Sequence, residues 1–368
     1  MQTMFTQDQE QFREVVARFL QDKSPPTAVR KLMESEQGYD SDVWKQLCDE
    51  VGLAGTHIPE EYGGFGFGPI ELGIVAEEMG RYLYCGPFFA SSVMAGYALL
   101  GAATENAKKE ILPAIASGET IATLVLDNLS DPKQVGQVIQ ADAQNALTGS
   151  ASIVVDAHIA NLLIVIANTS NGLGLFSVNS DVAGISVSSQ EALDPTRKIS
   201  RVTFGNAAAE KLGDVSSEAL NQIWDQICVA LAHEMVGGAQ YLFDSTIEYT
   251  KMRVQFGRPI GSFQALKHRC ADLLMEVEFA KAATWHAARC LDANDGEAYA
   301  PSMAKALASD TYMSAAKAGV QLRGGIGFTW ENDTHLWFKR AKSSEVFMGS
   351  PASHRERMMQ IMEETEHA

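Results

Sequence analysis

An arginine closely followed by glycine and proline, at the end of a long helical pattern, could hold a phosphate. The segment reads Tyr249-Thr-Lys-Met-Arg253-Val-Gln255-Phe256-Gly257-Arg258-Pro259-Ile260 and continues to Phe263 and Gln264. Arg253 is a fixed cation with a fork of donors suited to a pyrophosphate. Gly257 and Pro259 break the helix and free backbone donors beside it. A cation at a helix C-terminus also serves simply as a dipole partner, so the bare residues leave both readings open. A second segment, Gln321-Leu-Arg-Gly324-Gly325-Ile-Gly327-Phe328-Thr-Trp-Glu331, follows another helical pattern. Its glycines can end that helix in the left-handed conformation or let backbone pack against a flat dinucleotide. No strand precedes it, so no Rossmann motif is present. Among titratable groups, Glu234 and its neighbour His233 stand in an apolar helical stretch. A carboxylate there is ordinarily hydrogen-bonded across a bundle, and such a histidine is ordinarily a satisfied core residue. Asp225 and Glu345 read as solvated helix residues.

Three stretches of different periodicity must position these groups. Residues 1–119 read as helical: Phe5, Phe12, Val15, Val16, Phe19 and Leu20 fall on one side of a helix. A second helix is expected over 40–51, with Asp40 or Ser41 as its N-cap, and the Gly- and Pro-rich loop 59–69 is irregular. Over 120–215, short β-branched or alternating runs at 121–126, 151–155, 162–167, 173–178 and 198–204 predict a compact β unit. Residues 216–368 are helical again, with helices expected over 217–256, 264–294 and 301–323 and a last one from Pro351. Long amphipathic helices joined by short turns predict an up-down bundle. The fold class is α+β multidomain.

Composition narrows the partners. The formal charge is −17, which argues against sequence-independent nucleic-acid binding but not against an anionic small ligand held by local cations. The five cysteines, Cys48, Cys85, Cys228, Cys270 and Cys290, are scattered, with no CxxC spacing. They predict neither a disulfide framework nor a metal site, and a reducing cytoplasm is the default. The polar N-terminus predicts no secretory signal, and the absence of a long apolar run predicts no membrane span.

Taken together, Pro59-Glu-Glu-Tyr-Gly-Gly64, the Arg253–Gln264 stretch and the Gln321–Glu331 stretch resemble the acyl-CoA dehydrogenase family over essentially the whole chain. The resemblance implies an N-terminal helical domain, a middle β-barrel-like domain and a C-terminal four-helix bundle that drives tetramer formation. It also implies FAD, an acyl-CoA thioester substrate, α,β-dehydrogenation and an electron-transfer acceptor protein. In that reaction a carboxylate removes the α-proton while the β-hydrogen leaves as hydride to the flavin. By the same resemblance Arg253, Gln255, Phe256, Phe263 and Gln264 reach a neighbouring subunit's FAD. Gln321, Gly324 and Gly325 form a second such set, and Ser350 stands where a family threonine helps hold the subunit's own flavin.

The catalytic carboxylate is missing. The family's Glu-Gly-Thr is Met348-Gly349-Ser350 here, and a thioether takes no proton from carbon. The alternative base position used by some relatives is Ile227, and the substrate-side arginine beside it is Cys228. The middle-domain flavin loop reads Thr123-Leu-Val-Leu-Asp127-Asn128-Leu-Ser130, and the strand that covers the flavin ring in the family is Ile153-Val154-Val155. The losses fall on the subunit's own ring and thioester contacts, while the contacts offered to a neighbour remain. This pattern resembles the α2β2 heterotetrameric acyl-CoA dehydrogenases, which are associated with bulky substrates such as steroid side-chain thioesters. The leading expectation is a subunit that shares FAD sites with a different partner chain. One alternative is a self-sufficient homotetramer using Glu234, seven residues and about 10.5 Å beyond Ile227 along the helix. Another is a non-catalytic FAD- or acyl-CoA-binding scaffold.

Overall fold

The computed structural model describes residues 5–293 and 297–366. Six α-helices precede the β region: α1 (Gln7–Lys23), α2 (Pro26–Glu34), α3 (Ser41–Asp49), α4 (Pro69–Arg81), α5 (Gly96–Ala102) and α6 (Glu105–Ala116). Local chemistry sets their starts. Thr6 and Gln9 form a reciprocal capping box on α1. Asp40 accepts from the amides of Asp42 and Val43 at 2.9 and 3.1 Å and caps α3, as its side-chain chemistry predicts. Phe89–Ala95 winds as a π-helix, all seven residues buried.

The β region forms one eight-stranded sheet. Its strands are β1 (Ala122–Val125), β2 (Gln140–Ala141), β3 (Ala146–Val155), β4 (Leu162–Thr169), β5 (Gly172–Asn179), β6 (Ile185–Gln190), β7 (Ile199–Ala208) and β8 (Glu210–Val215). The order is β6-β7-β3-β2-β4-β5-β8, with β1 pairing parallel to β4. The five apolar runs seen in the sequence all become strands. β2, β6 and β8 carry too few buried apolar residues to announce themselves; their neighbours recruit them.

The remaining helices are α7 (Ser217–Met252), α8 (Gln264–Ala293), α9 (Ala300–Arg323), α10 (Thr334–Val346) and α11 (Pro351–Glu366). The helix expected to reach residue 256 stops at Met252. There Val254–Gln255 pairs with Arg258–Pro259 as a small hairpin, β9 and β10. Residue 294, the expected end of α8, lies outside the described residues. Helix α10 is an addition to the sequence reading. The architecture is thus N-terminal helices, a middle sheet and C-terminal helices, and none of the five cysteines is in a disulfide.

Packing groups the described chain into two compact units. One holds the residues up to Val29, Gly73–Tyr84 and those from Cys228 on; the other holds 30–72 and 85–227. In the first unit α4 lies directly against α7. A Cβ on Gly80 would stand 1.8 Å from the carbonyl oxygen of Glu234, and one on Gly237 1.8 Å from that of Glu77. Only glycine permits this crossing. The core of the second unit is the apolar centre of the sheet, where Leu163–Ala167 are all buried.

Candidate functional site

The Arg253 segment is an exposed, shaped surface. Phe256 and Gly257 sit at the hairpin tip with φ of 53° and 75°, the left-handed pair that a tight two-residue connection requires. This holds the Phe256 ring outward, 89% exposed. Phe263 meets Phe256 edge-to-face at 6.1 Å, and the Arg258 guanidinium lies 4.1 Å from the Phe263 ring. The amide of Ile260 donates to the Arg253 carbonyl at 2.8 Å and closes the hairpin base. Arg253, Gln255 and Gln264 are exposed and Phe263 is half-buried.

The second glycine segment lies at the same end of the bundle. Helix α9 ends at Arg323, and Gly324 turns the chain at φ 65° into a 3-10 turn over Gly324–Phe328. Added Cβ atoms at Gly324 and Gly325 would meet nothing within 4 Å, so this backbone is open to a flat neighbour. Gln321 is exposed. Arg323 supplies the link. It donates to Thr246 Oγ1 at 2.8 Å and Ser245 Oγ at 3.0 Å, and its guanidinium stands 5.5 Å from the Tyr249 ring. The structure therefore brings the two sequence-predicted sets together, by way of a residue the sequence reading did not single out.

The Met348 segment is built differently. Met348 is fully buried, and it and Gly349 take left-handed φ values of 57° and 95° between α10 and α11. The carbonyl oxygen of Met348 accepts from His354 Nε2 at 2.7 Å and lies 3.8 Å from Cys228 Sγ. Ser350 is half-buried and caps α11, its hydroxyl accepting from the Ser353 amide at 3.2 Å. Ile227 is fully buried. Neither family base position carries an ionisable group.

The other titratable candidates are engaged. Glu234 Oε1 lies 2.8 Å from Arg340 Nη1, with both side chains buried. His233 packs edgewise on Trp285 at 4.2 Å and stands 3.8 Å from Glu77; burial lowers its pKa against the opposing pull of Glu77. Glu345 is half-buried and paired with Lys342, and Asp225 is half-buried. Among the described residues no group of His, Cys, Asp and Glu could hold a metal.

In the sheet unit the altered loop satisfies itself. Asp127 accepts from the amides of Gly136, Val138 and Ile139 at 2.8, 2.6 and 3.0 Å. The Thr123 hydroxyl donates to the Val155 carbonyl at 2.7 Å. Ile153 is 45% exposed while Val154 and Val155 face inward.

Comparison with known proteins decides the family. The acyl-CoA dehydrogenase N-terminal domain matches residues 6–119, and the acyl-CoA dehydrogenase C-terminal domain matches residues 226–363. The chain belongs to the acyl-CoA dehydrogenase family. Acyl-CoA dehydrogenase IpdE2 of Mycobacterium tuberculosis is 36% identical over 345 residues, covering 94% of each chain. IpdE2 of Mycolicibacterium smegmatis is 34% identical, covering 94% of this chain and 96% of its own. A chain of the ChsE4-ChsE5 complex from Mycobacterium tuberculosis superposes with a TM-score of 0.89 at 25% identity, over 98% of both chains.

FAD is the cofactor of the acyl-CoA dehydrogenase family, and the two faces of this member suit it unequally. An exposed arginine, open backbone at two exposed glycines and a bare aromatic ring fit a pyrophosphate and a flat ring system. The Asp127 loop does not fit an isoalloxazine in the same way. Both its carboxylate oxygens already accept from their own backbone, and an isoleucine replaces the ring-covering aromatic. Among the described residues no helix is long and apolar enough to cross a membrane.

Proposed function

We propose that this acyl-CoA dehydrogenase is one subunit of a two-chain enzyme, contributing half of a shared FAD site while a different family member supplies the catalytic carboxylate. One observation carries the reading. The usual base position is a buried methionine, whereas the Arg253, Phe256 and Gly324 surface is exposed and shaped. Arg253, Gln255, Phe256, Phe263 and Gln264, with Gln321, Gly324 and Gly325, would hold a partner's FAD. Ser350 would stand near any flavin bound on the chain's own side. Bound FAD would accept the hydride from the β-carbon of an acyl-CoA thioester. This chain's part is to bind and orient. The resemblance to a complex named for two different chains supports a hetero-oligomer, and the matches at 6–119 and 226–363 support domains at 1–119, 120–215 and 216–368. We also take the site of action to be the cytoplasm and the final electron acceptor to be a protein.

The test is the visible spectrum of the chain alone and of the chain mixed with candidate partner subunits of the family. The reading expects a colourless isolated chain and a yellow complex bleached by acyl-CoA. A yellow isolated chain bleached by acyl-CoA would overturn it in favour of a self-sufficient enzyme. Retention of full turnover by an Arg253→Ala complex at saturating FAD would favour a scaffold.

A further inference from the structure

Helix α1 rests on a buried polar cluster that the Arg253 and Gly324 surface does not use. Arg13, on α1, donates through Nη1 to Glu77 Oε1 at 2.9 Å and to Glu78 Oε1 at 3.2 Å, neighbours on α4 with both side chains buried. Among the described residues no lysine and no other arginine comes within 4.0 Å of either carboxylate. Arg81, the next cation along α4, is held by Asp244 at 2.9 Å. Glu10, on α1, adds a further negative charge facing Arg13. From α7, the fully buried His233 stands 3.8 Å from Glu77 Oε2, beyond hydrogen-bond reach. From α8 comes an uncharged ring, Trp285, which meets Phe5 edge-to-face at 4.6 Å and lies 5.7 Å from the Arg13 guanidinium. Glu77 Oε2, Glu78 Oε2, both His233 ring nitrogens and Trp285 Nε1 are buried and have no hydrogen-bond partner among the described residues.

Two carboxylates thus face one guanidinium, and a surplus charge is costly in an interior that cannot solvate it. One proton removes the surplus, and the cluster offers it two places. On His233 it would create an imidazolium with no acceptor in hydrogen-bond reach. On Glu78, the farther of the two carboxylates from Nη1, it leaves a close Arg13–Glu77 pair beside a neutral acid. Burial pushes the Glu78 carboxyl up and the His233 imidazole down, the same direction as the geometry. We propose that Glu78 takes up one proton when α1 docks on α4, making the Arg13–Glu77–Glu78 cluster a pH-sensitive latch that loosens as pH rises. The sign follows from the raised carboxyl. Its contribution is complete below the ordinary value of 4.5 and is lost as pH rises through the value Glu78 has in the docked state. The latch is independent of the shared-FAD reading.

The test uses the full chain, with infrared spectra of the carboxyl groups and hydrogen exchange of the α1 amides. Exchange is read as protection factors, which divide out its intrinsic pH dependence. At about pH 6, above the ordinary carboxyl value of 4.5, the wild type should show a protonated-carboxyl band that Glu78→Gln removes. Glu77→Gln should remove it too, because the remaining carboxylate then has Arg13 to itself. Between about pH 6 and 9, wild-type α1 protection should fall by up to about tenfold per pH unit as Glu78 ionises, while Glu78→Gln changes less than about threefold. A wild-type band left unchanged by Glu78→Gln would overturn the proposal, as would wild-type protection as flat with pH as that of Glu78→Gln. A band that survives Glu77→Gln overturns it as well, which decides the matter if Glu78→Gln fails to fold. His233→Gln should keep the pH dependence; losing it would place the proton on the imidazole and overturn the assignment to Glu78.

Discussion

Glu234 Oε1 and Arg340 Nη1 are 2.8 Å apart, with both side chains buried. A buried pair of this kind is costly to break from one side, because the survivor loses its counter-charge in the interior. Glu234→Ala is expected to destabilise the chain by about 3–5 kcal/mol while leaving turnover of the assembled complex within a few-fold. Denaturant unfolding and steady-state kinetics check this together. A large fall in kcat with unchanged stability would instead make Glu234 the base.

Long patterns were legible in the sequence, and so was local capping. The start of α3 was legible as Asp40 or Ser41, because an N-cap needs only its own side chain and the amides two and three residues on. Helix α10 was not, because buried Leu336, Trp337 and Ala341 are interleaved with Lys, Arg and Ser and give no clean stripe. Strands β6 and β8 needed neighbours to define them. At the site, Arg253 and Gly324 could be picked out by type and spacing. Their juxtaposition through Arg323 and Tyr249 could not, since the contact joins the ends of two helices remote in sequence. Lys305 was hidden for the same reason: its buried Nζ donates to Ser309 Oγ at 3.0 Å and to the Ser344 and Gly349 carbonyls at 3.1 and 3.2 Å, and only the fold brings those carbonyls to it.

Arg253→Ala should weaken FAD binding by the assembled complex. A charge-assisted hydrogen bond contributes about 1.5–3 kcal/mol, so the dissociation constant should rise roughly tenfold to a hundredfold. Because Arg253 is exposed, the melting temperature of the isolated chain should hardly move. A drop in melting temperature without loss of FAD affinity would assign Arg253 to folding instead.

Arg13 Nη1 bridges two buried carboxylates, at 2.9 Å from Glu77 and 3.2 Å from Glu78. Burial pushes both carboxyls up. At Glu77 the combined pull of His233 and Arg13 outweighs burial and brings the carboxyl down to about 2, while Glu78 remains raised. The Glu77 contribution is thus present above its ordinary value of 4.5 and fades as pH falls towards 2. Arg13→Met strands the carboxylates and should cost about 3–5 kcal/mol at pH 7. The deficit should shrink at pH 4.5, where protonation discharges them. Urea melts at the two pH values test this, and an equal deficit at both would contradict it.

Lys305 gives the same sign at higher pH, with a buried cation as its source. Burial lowers its pKa from 10.5 to about 8, against partial opposition from Cys228, Glu345 and Asp310. Between those values the unfolded chain binds more protons than the folded one, so this group makes stability rise with pH across that window. Below about pH 8 the cost of burying the ammonium is carried in full. Lys305→Met removes the titration. The stability of wild type relative to Lys305→Met should therefore grow between pH 7.5 and about 9.5, a difference in which titrations common to both proteins cancel. Chemical denaturation of the two proteins at both pH values measures it. A gap that stays constant would mean that Lys305 titrates alike in folded and unfolded chains, which is incompatible with an ammonium held only by Ser309 and main-chain carbonyls in the core.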